Sequence, residues 1–438
     1  MSIDTLVVAL AGGKGERLWP LTRDRAKPAV PFGGRYRLID ITLSNVVNSE
    51  LRHAVVLVQY KAQSLIDHLN LTWNFLTRPE LGEFLQTIPA QMRMSEEWYS
   101  GTADAVRQNL YHLDQYKPES VLIVSTDHIY KMDYRQMIDY HLKKGADVTV
   151  AVTKVKKEDA ANRLGVIEVD NNFRIVGFEE KPNEPKPIPG DAEHCLVNMG
   201  VYFFNTNTLR KALNIDTANL DFGKHVIPTL KDAKAVYAYP FYELNKIPGY
   251  RDNKDSIGML VKEEIERTPD SSYWSDVGDP YILWAVHMDL VRRVPLFDLY
   301  NTKWPIHSKR TINPPFKIDV DAYNNEGQLS RSIAGAGTII SGGKVISSVV
   351  FQRVFVDGAG IEESIVMDDV YIGRGAELRK TIVDKEARIH PGAKIHPDLP
   401  GPWLETKPNS GIYCNPESGL YRSNGIVIVP KGAVILPK

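Results

Sequence analysis

The chain has 438 residues, a formal net charge of −1 and 24% charged residues, so no global basic field points to nucleic acid as a partner. Its 43% hydrophobic content is that of a globular protein, and the length has room for two or three domains. Two cysteines, Cys195 and Cys414, exclude a disulfide scaffold and a thiolate zinc site. The start, MSIDTLVVAL, lacks the basic segment of a signal peptide, and no apolar run approaches the ~20 residues that span a bilayer. A cytoplasmic protein without membrane contact is expected.

The first predicted element is a strand over residues 6–11, which breaks into Gly12-Gly13-Lys14-Gly15. Arg17, Arg23, Arg25 and Lys27 follow closely. A glycine turn between strand and helix would account for the glycines alone. The cations favour a second reading, because backbone N–H groups of a glycine loop hold anionic oxygens and an arginine forks onto phosphate. The dinucleotide fingerprint G-x-G-x-x-G fails, since Leu18 stands at its third glycine, and the string G-x-x-x-x-G-K-[ST] is absent. Lys27 precedes Pro28, a point charge on a stiffened chain. Together these suit a polyphosphate leaving group.

Strands are predicted over 54–58, 121–124 and 148–152, with helices over 62–69 and 134–143 between them. Continuous apolar strands alternating with helices predict an α/β sheet, mostly parallel and covered on both faces. Residues 164–181 differ: two alternating runs flank Asp170-Asn171-Asn172 and predict an antiparallel hairpin, making the sheet mixed. Residues 291–315 carry Pro295, Pro305, Pro314 and Pro315 and predict a linker between domains at 1–290 and 316–438.

Beyond the linker, aliphatic residues recur near every sixth position: Val350 and Val356; Val366, Ile372 and Leu378; Val383, Ile389 and Ile395. One aliphatic residue per flat face predicts a β-helix, with a sandwich of short strands as the alternative.

Several strings now stand in one order: GGKGERL (12–18), LTRDRAKPAVPFGGRYRLIDITLSNVVNS (21–49), WYSGTADAV (98–106), DHIYKMDY (127–134), FEEKP (178–182), DFGKHVIP (221–228) and YWSDVGD (273–279). Over nearly its whole length the sequence resembles the sugar-1-phosphate nucleotidyltransferases, and among them the glucose-1-phosphate adenylyltransferases. The resemblance implies a Rossmann-like, mixed, mostly parallel nucleotidyltransferase domain followed by a left-handed parallel β-helix. It implies ATP and glucose 1-phosphate as substrates, ADP-glucose and pyrophosphate as products, Mg²⁺ as cofactor, small-molecule effectors and a homotetramer.

Carried over residue by residue, Arg17, Lys27 and Asp127 are the expected catalytic groups, and Asp127 and Asp276 the metal carboxylates. ATP is expected on Leu10, Ala11, Gly12, Gly13, Gly15, Arg17, Lys27, Gln91, Tyr99, Gly101, Thr102 and Asp104. Glucose 1-phosphate is expected on Gly165, Glu180, Lys181, Asn198, Asp221 and Phe222. Many relatives have serine where this chain has Asn198, and close relatives have glycine where it has Thr126. Effectors are expected near Arg25, Arg37, Lys380 and Lys385, with Gln59 and Trp98 coupling them to the site. Relatives activated by fructose 1,6-bisphosphate carry lysine where this chain has Asp24, whose charge would repel that ligand. Two rival functions stay open, another nucleotide as substrate and a non-catalytic regulatory subunit; an acyltransferase in the β-helix would need His390 or His396 as base, and these are read as surface residues.

Overall fold

The structure, a computed structural model, describes residues 4–73, 78–91, 98–215, 220–231, 235–407 and 410–437. Thr5–Ala11 is the hub of its larger sheet, pairing in parallel with His53–Val58 on one side and Ser120–Ser125 on the other. Side chains alternate along a strand, so Leu6 and Val8 enter one apolar cluster while Val7, Ala9 and Ala11 enter another. A strand buried on both faces must be apolar throughout, and TLVVALA is. Helices Leu38–Asn48 and Gln63–Thr72 cover one face through Ile39, Leu43, Leu65 and Leu69. Helices Thr102–Arg107, Leu110–Tyr116 and Thr206–Ala212 cover the other through Val106, Leu113 and Leu209.

The sheet has nine strands. Phe84–Pro89 adds in parallel beyond His53–Val58, while the long strand His194–Asn205 runs antiparallel to Ser120–Ser125. That long strand also pairs with Val148–Lys156 and with the hairpin Gly165–Val169/Ile175–Glu180. The mixed α/β sheet and its hairpin are as the sequence pattern predicts. Phe84–Pro89, His194–Asn205 and Val236–Pro240 went unpredicted, as did the exposed hairpin Gly249–Lys254/Leu260–Ile265.

From Lys317 onward short parallel strands stack into three flat sheets, the three faces of a β-helix. Ile339 lies beside Phe355, and Phe355 beside Tyr371, so these coils advance sixteen residues rather than eighteen. Every predicted hexad residue is buried. Ile340, Val345 and Ile361 also point inward, and they sit on five-residue faces that the hexad count passed over.

Between Leu290 and Lys317 the chain has no helix or strand, yet it is strapped to the sheet domain. Trp304 is buried and donates from Nε1 to Asn45 Oδ1 at 3.0 Å. Ser308 Oγ donates to the buried carboxylate of Asp40 at 2.8 Å. The β-helix docks onto the sheet domain through one shared apolar cluster, in which Leu18, Leu21, Val30 and Phe32 meet Phe351, Met367, Ile382 and Ile428. A nearly inaccessible ion pair, Arg25 Nη1 to Asp384 Oδ1 at 2.9 Å, crosses the same interface. Among the described residues no helix is long and apolar enough to cross a membrane.

Candidate active site

The site lies at the carboxyl ends of the central parallel strands, where open α/β sheets bind ligands. Thr5–Ala11 ends in the glycine loop. Gly15 has φ +62°, and a Cβ there would meet Lys27 Cβ and Thr22 Cγ2, each at 2.9 Å. A glycine is therefore required for the Lys27 stem to pass beneath the loop. Ser120–Ser125 ends just before Asp127. Thr126 turns its hydroxyl back onto Leu10 O at 2.8 Å, which frees the next side chain to face the site.

Asp276 reaches Asp127 through a two-stranded ribbon. Trp274–Asp276 runs antiparallel to His128–Tyr130 with Asp276 beside His128. Lys27 Nζ sits between the two carboxylates, 2.7 Å from Asp127 Oδ2 and 3.1 Å from Asp276 Oδ1. Burial works against all three charges, and their mutual attraction overcomes it. Lys27 is held above its ordinary value and both carboxyls below theirs. Ser125 Oγ adds a bond to Asp127 Oδ1 at 2.5 Å. Arg17 is exposed at the loop's edge, and its guanidinium lies beside Gly278, where an added Cβ would meet Arg17 Nη2 at 3.4 Å.

A cavity of about 330 Å³ opens from this cluster along the sheet edge. Leu10, Gly12, Gly13, Lys27, Tyr99, Gly101, Thr102 and Asp127 line it. Ala11 is buried at the strand end. Asp104 is also buried, and it accepts from Ser100 N, Arg107 and Gln108, so it builds the loop rather than touching a ligand. Gln91 is exposed, next to residues 92–97, which lie outside the described residues. Gln59 was read as a coupling residue; it lines the nucleotide-sized cavity itself and donates to Tyr99 O at 3.3 Å. Lys14, Tyr60, Gly200 and Tyr202 line it too and escaped the sequence reading. Lys14 and Tyr60 form a cation–π pair at 4.9 Å; Lys14 lies within the GGKGERL string, whereas Tyr60 falls between the predicted strand 54–58 and helix 62–69.

The expected sugar-phosphate residues gather beside this cavity. Tyr202 belongs to both regions: it lines the cavity and accepts from Asn198 Nδ2 at 2.6 Å. Phe222 is fully buried and stacks on Tyr202 with centroids 5.1 Å apart, so it is the platform beneath the pocket, not its surface. Asp221 caps the turn after it and accepts from Thr102 Oγ1 at 2.7 Å. That bond ties the Asp221 turn to Thr102 of the cavity wall. Lys181 has φ +52° and pairs with Glu180 at 3.2 Å. Gly165 lies against Glu180, where an added Cβ would meet Glu180 Oε2 at 2.9 Å.

Of the residues expected at effectors, Arg37 and Lys385 line a second cavity of about 320 Å³ between the domains. Arg35, Lys309, Arg310 and Arg353 line it as well, against Asp368. Arg25 is not part of it, because its charge is spent on buried Asp384. Lys380 lies at a coil corner near Glu363, away from the cavity, and Trp98 is exposed beside the first cavity's loop.

The sequence comparisons agree with this geometry. Residues 6–293 match the nucleotidyl transferase family, and residues 314–400 match the GlmU-like C-terminal hexapeptide family, which makes the three-sided coil a left-handed hexapeptide helix. A glucose-1-phosphate adenylyltransferase of Rhodopirellula baltica is 40% identical over the whole chain and 91% of its own length. One of Photobacterium profundum is 41% identical over 98% of both chains. One of Thermodesulfovibrio yellowstonii is 43% identical over 89% of this chain and 90% of its own. The chain belongs to the glucose-1-phosphate adenylyltransferase family.

Proposed function

We propose that the chain transfers the adenylyl group of ATP to α-D-glucose 1-phosphate, giving ADP-glucose and pyrophosphate for glycogen or another α-glucan. A phosphate oxygen of the sugar attacks the α-phosphorus of ATP in line. The bond to the oxygen bridging to the β-phosphorus breaks, and pyrophosphate carries that electron pair away. No covalent enzyme intermediate is needed, so the protein contributes position and charge. The observation that carries the reading is the cluster of Lys27, Asp127 and Asp276 from which the cavity opens. The glycine loop and Arg17 are set to hold the β and γ phosphates, and Lys181 the sugar phosphate.

The two carboxylates supply hard oxygen donors, and Lys27 already places one positive charge between them, so the donor set fits a divalent cation. Mg²⁺ held there by Asp127 and Asp276 would offset charge on the phosphates. Lys27 and Arg17 neutralise what remains, and the Thr102–Asp221 bond keeps both substrates' loops in one arrangement.

The interdomain cavity, with six basic residues against Asp368, is our candidate for the effector site, and its chemistry calls for a phosphorylated metabolite or inorganic phosphate. Asp24 puts a carboxylate where relatives activated by fructose 1,6-bisphosphate carry lysine, and weak activation by that ligand is expected. Strong activation at micromolar levels would count against it. A cytoplasmic location, where ATP and sugar phosphates are available, fits this reading, and family membership supports a homotetramer. The deciding assay is pyrophosphate release by the purified chain with Mg²⁺ and glucose 1-phosphate, comparing ATP, UTP, dTTP and GTP. ATP should be preferred by at least tenfold. Preference for another nucleotide would overturn the substrate assignment, and silence with every nucleotide and effector would make the chain a regulatory subunit.

A further inference from the structure

His128 stands between the two metal carboxylates, and neither the reaction nor the site description so far gives it a task. Its ring is held firmly. Nδ1 lies 3.0 Å from Met199 O, and Trp274 packs edge-on with centroids 5.1 Å apart. A carbonyl oxygen only accepts, so Nδ1 carries the proton and the tautomer is set. Nε2 then faces Asp127 Oδ1 at 3.4 Å and Asp276 Oδ1 at 3.7 Å. One donor atom from each of the three residues falls within 4.8 Å of the others. Neighbouring donors of an octahedral ion with bonds near 2.1 Å lie about 3 Å apart, so small rotations of these side chains would bring all three onto one ion. Metal-bound histidines characteristically donate their other ring N–H to a carbonyl or carboxylate, as His128 does to Met199.

We propose that His128 Nε2 is a third protein ligand to the divalent cation at Asp127 and Asp276, giving the site one nitrogen among its oxygens. The inference rests on the reading of the aspartates as a metal site. Its consequence is selectivity: an imidazole nitrogen favours transition-series ions over Mg²⁺. Mn²⁺ should therefore bind about tenfold or more tighter than Mg²⁺, and His128→Gln should lose at least about tenfold in Mn²⁺ affinity, since even outer-shell partners of metal ligands are worth that much, with less change for Mg²⁺.

The test uses the full chain and Mn²⁺, with and without a non-hydrolysable ATP analogue. Loss of the free-ion electron paramagnetic resonance signal reports binding, and pulsed spectra of the bound ion report nitrogen ligands. The experiment is repeated with ¹⁵N-histidine incorporated in the wild-type chain, so the answer does not depend on a variant folding. A ¹⁴N coupling that becomes ¹⁵N on labelling, and disappears in His128→Gln, is the expected result. Bound Mn²⁺ that is displaced in Asp127→Asn but shows no histidine coupling would overturn the role of His128 and leave the carboxylate site standing. Absence of Mn²⁺ binding in both conditions would overturn the metal site and this inference with it.

Discussion

The pair Arg25–Asp384 gives a sharp test of how the domains are joined. The two residues are 5% and 1% exposed, and Arg25 Nη1 reaches both carboxylate oxygens, at 2.9 and 3.1 Å. Asp384 also accepts from Lys385 N at 2.7 Å. Arg25→Met leaves a buried carboxylate with that one backbone donor, and Asp384→Leu leaves a buried guanidinium. Breaking such a pair from one side costs about 3–5 kcal/mol, whereas replacing both partners by apolar groups is often close to neutral. The apolar cluster beside the pair can accept Met and Leu, so the double variant should recover most of the loss. The coupling energy from the four proteins should be at least about 2 kcal/mol, above the usual range for exposed pairs. Urea unfolding followed by tryptophan fluorescence measures it, with the first transition taken for each protein. Two single variants within about 0.5 kcal/mol of wild type would refute the claim that this pair locks the interface.

Three further outcomes follow from the site and its surroundings. Asp127→Asn removes one of the two carboxylates facing Lys27, so pyrophosphate release should fall about 10²–10³-fold, as when one charge-stabilising group is lost from a polar site, while the melting temperature holds. Thr102→Val deletes the donor to Asp221 without changing shape, and the KM for glucose 1-phosphate should rise about tenfold, the effect of losing one hydrogen bond to a charged group. Burial lowers His287 to about 4, its Nε2 accepting from Gly33 N at 3.1 Å and its Nδ1 donating to Leu283 O. The unfolded chain thus takes up this proton first, so the stability is whole above the unfolded value near 6.5 and is lost as pH falls through 4, by about 3 kcal/mol. Melting curves from pH 7 to 4 should show that loss in wild type and less of it in His287→Leu.

What the sequence revealed, and what it hid, divides along one physical line. Elements whose identity depends on their own residues were legible: the apolar strands at Thr5–Ala11 and Ser120–Ser125, the hairpin around Asp170, and the inward-facing Val366, Ile372 and Leu378. Elements defined by distant partners were not. His194–Asn205 is interrupted by Asn198 and by Gly200 at φ +68°, so its two short apolar runs do not read locally as one long strand. Five-residue faces of the coil place Val345 and Ile361 out of hexad phase, and only the stacking of coils shows that they share the core. The site follows the same division. The string around Asp127 was readable, but its meeting with Asp276 depends on a ribbon register, and the tautomer of His128 on a carbonyl of another strand.

Charge shows why the effector residues were the hardest to read. A sequence lists cations; it does not say which are already neutralised. Arg25 is matched by Asp384, Lys385 by Asp368 at 2.6 Å, Lys181 by Glu180, and Lys27 by two aspartates. A phosphate that binds at any of these four residues must therefore replace a carboxylate rather than meet a free cation. At Lys385 and Lys181 the exchange takes place at partly exposed groups, where a carboxylate partner contributes little and is readily given up. At Arg25 both partners are buried and the exchange would strand Asp384, so that arginine is unsuited to a reversible ligand. Lys27 stands between these cases: a divalent cation on Asp127 and Asp276 would take over its partners and release its charge for the phosphates of the nucleotide. Metal and nucleotide would then bind with positive coupling, and neutralising Lys27 would weaken that coupling while tightening the metal on its own.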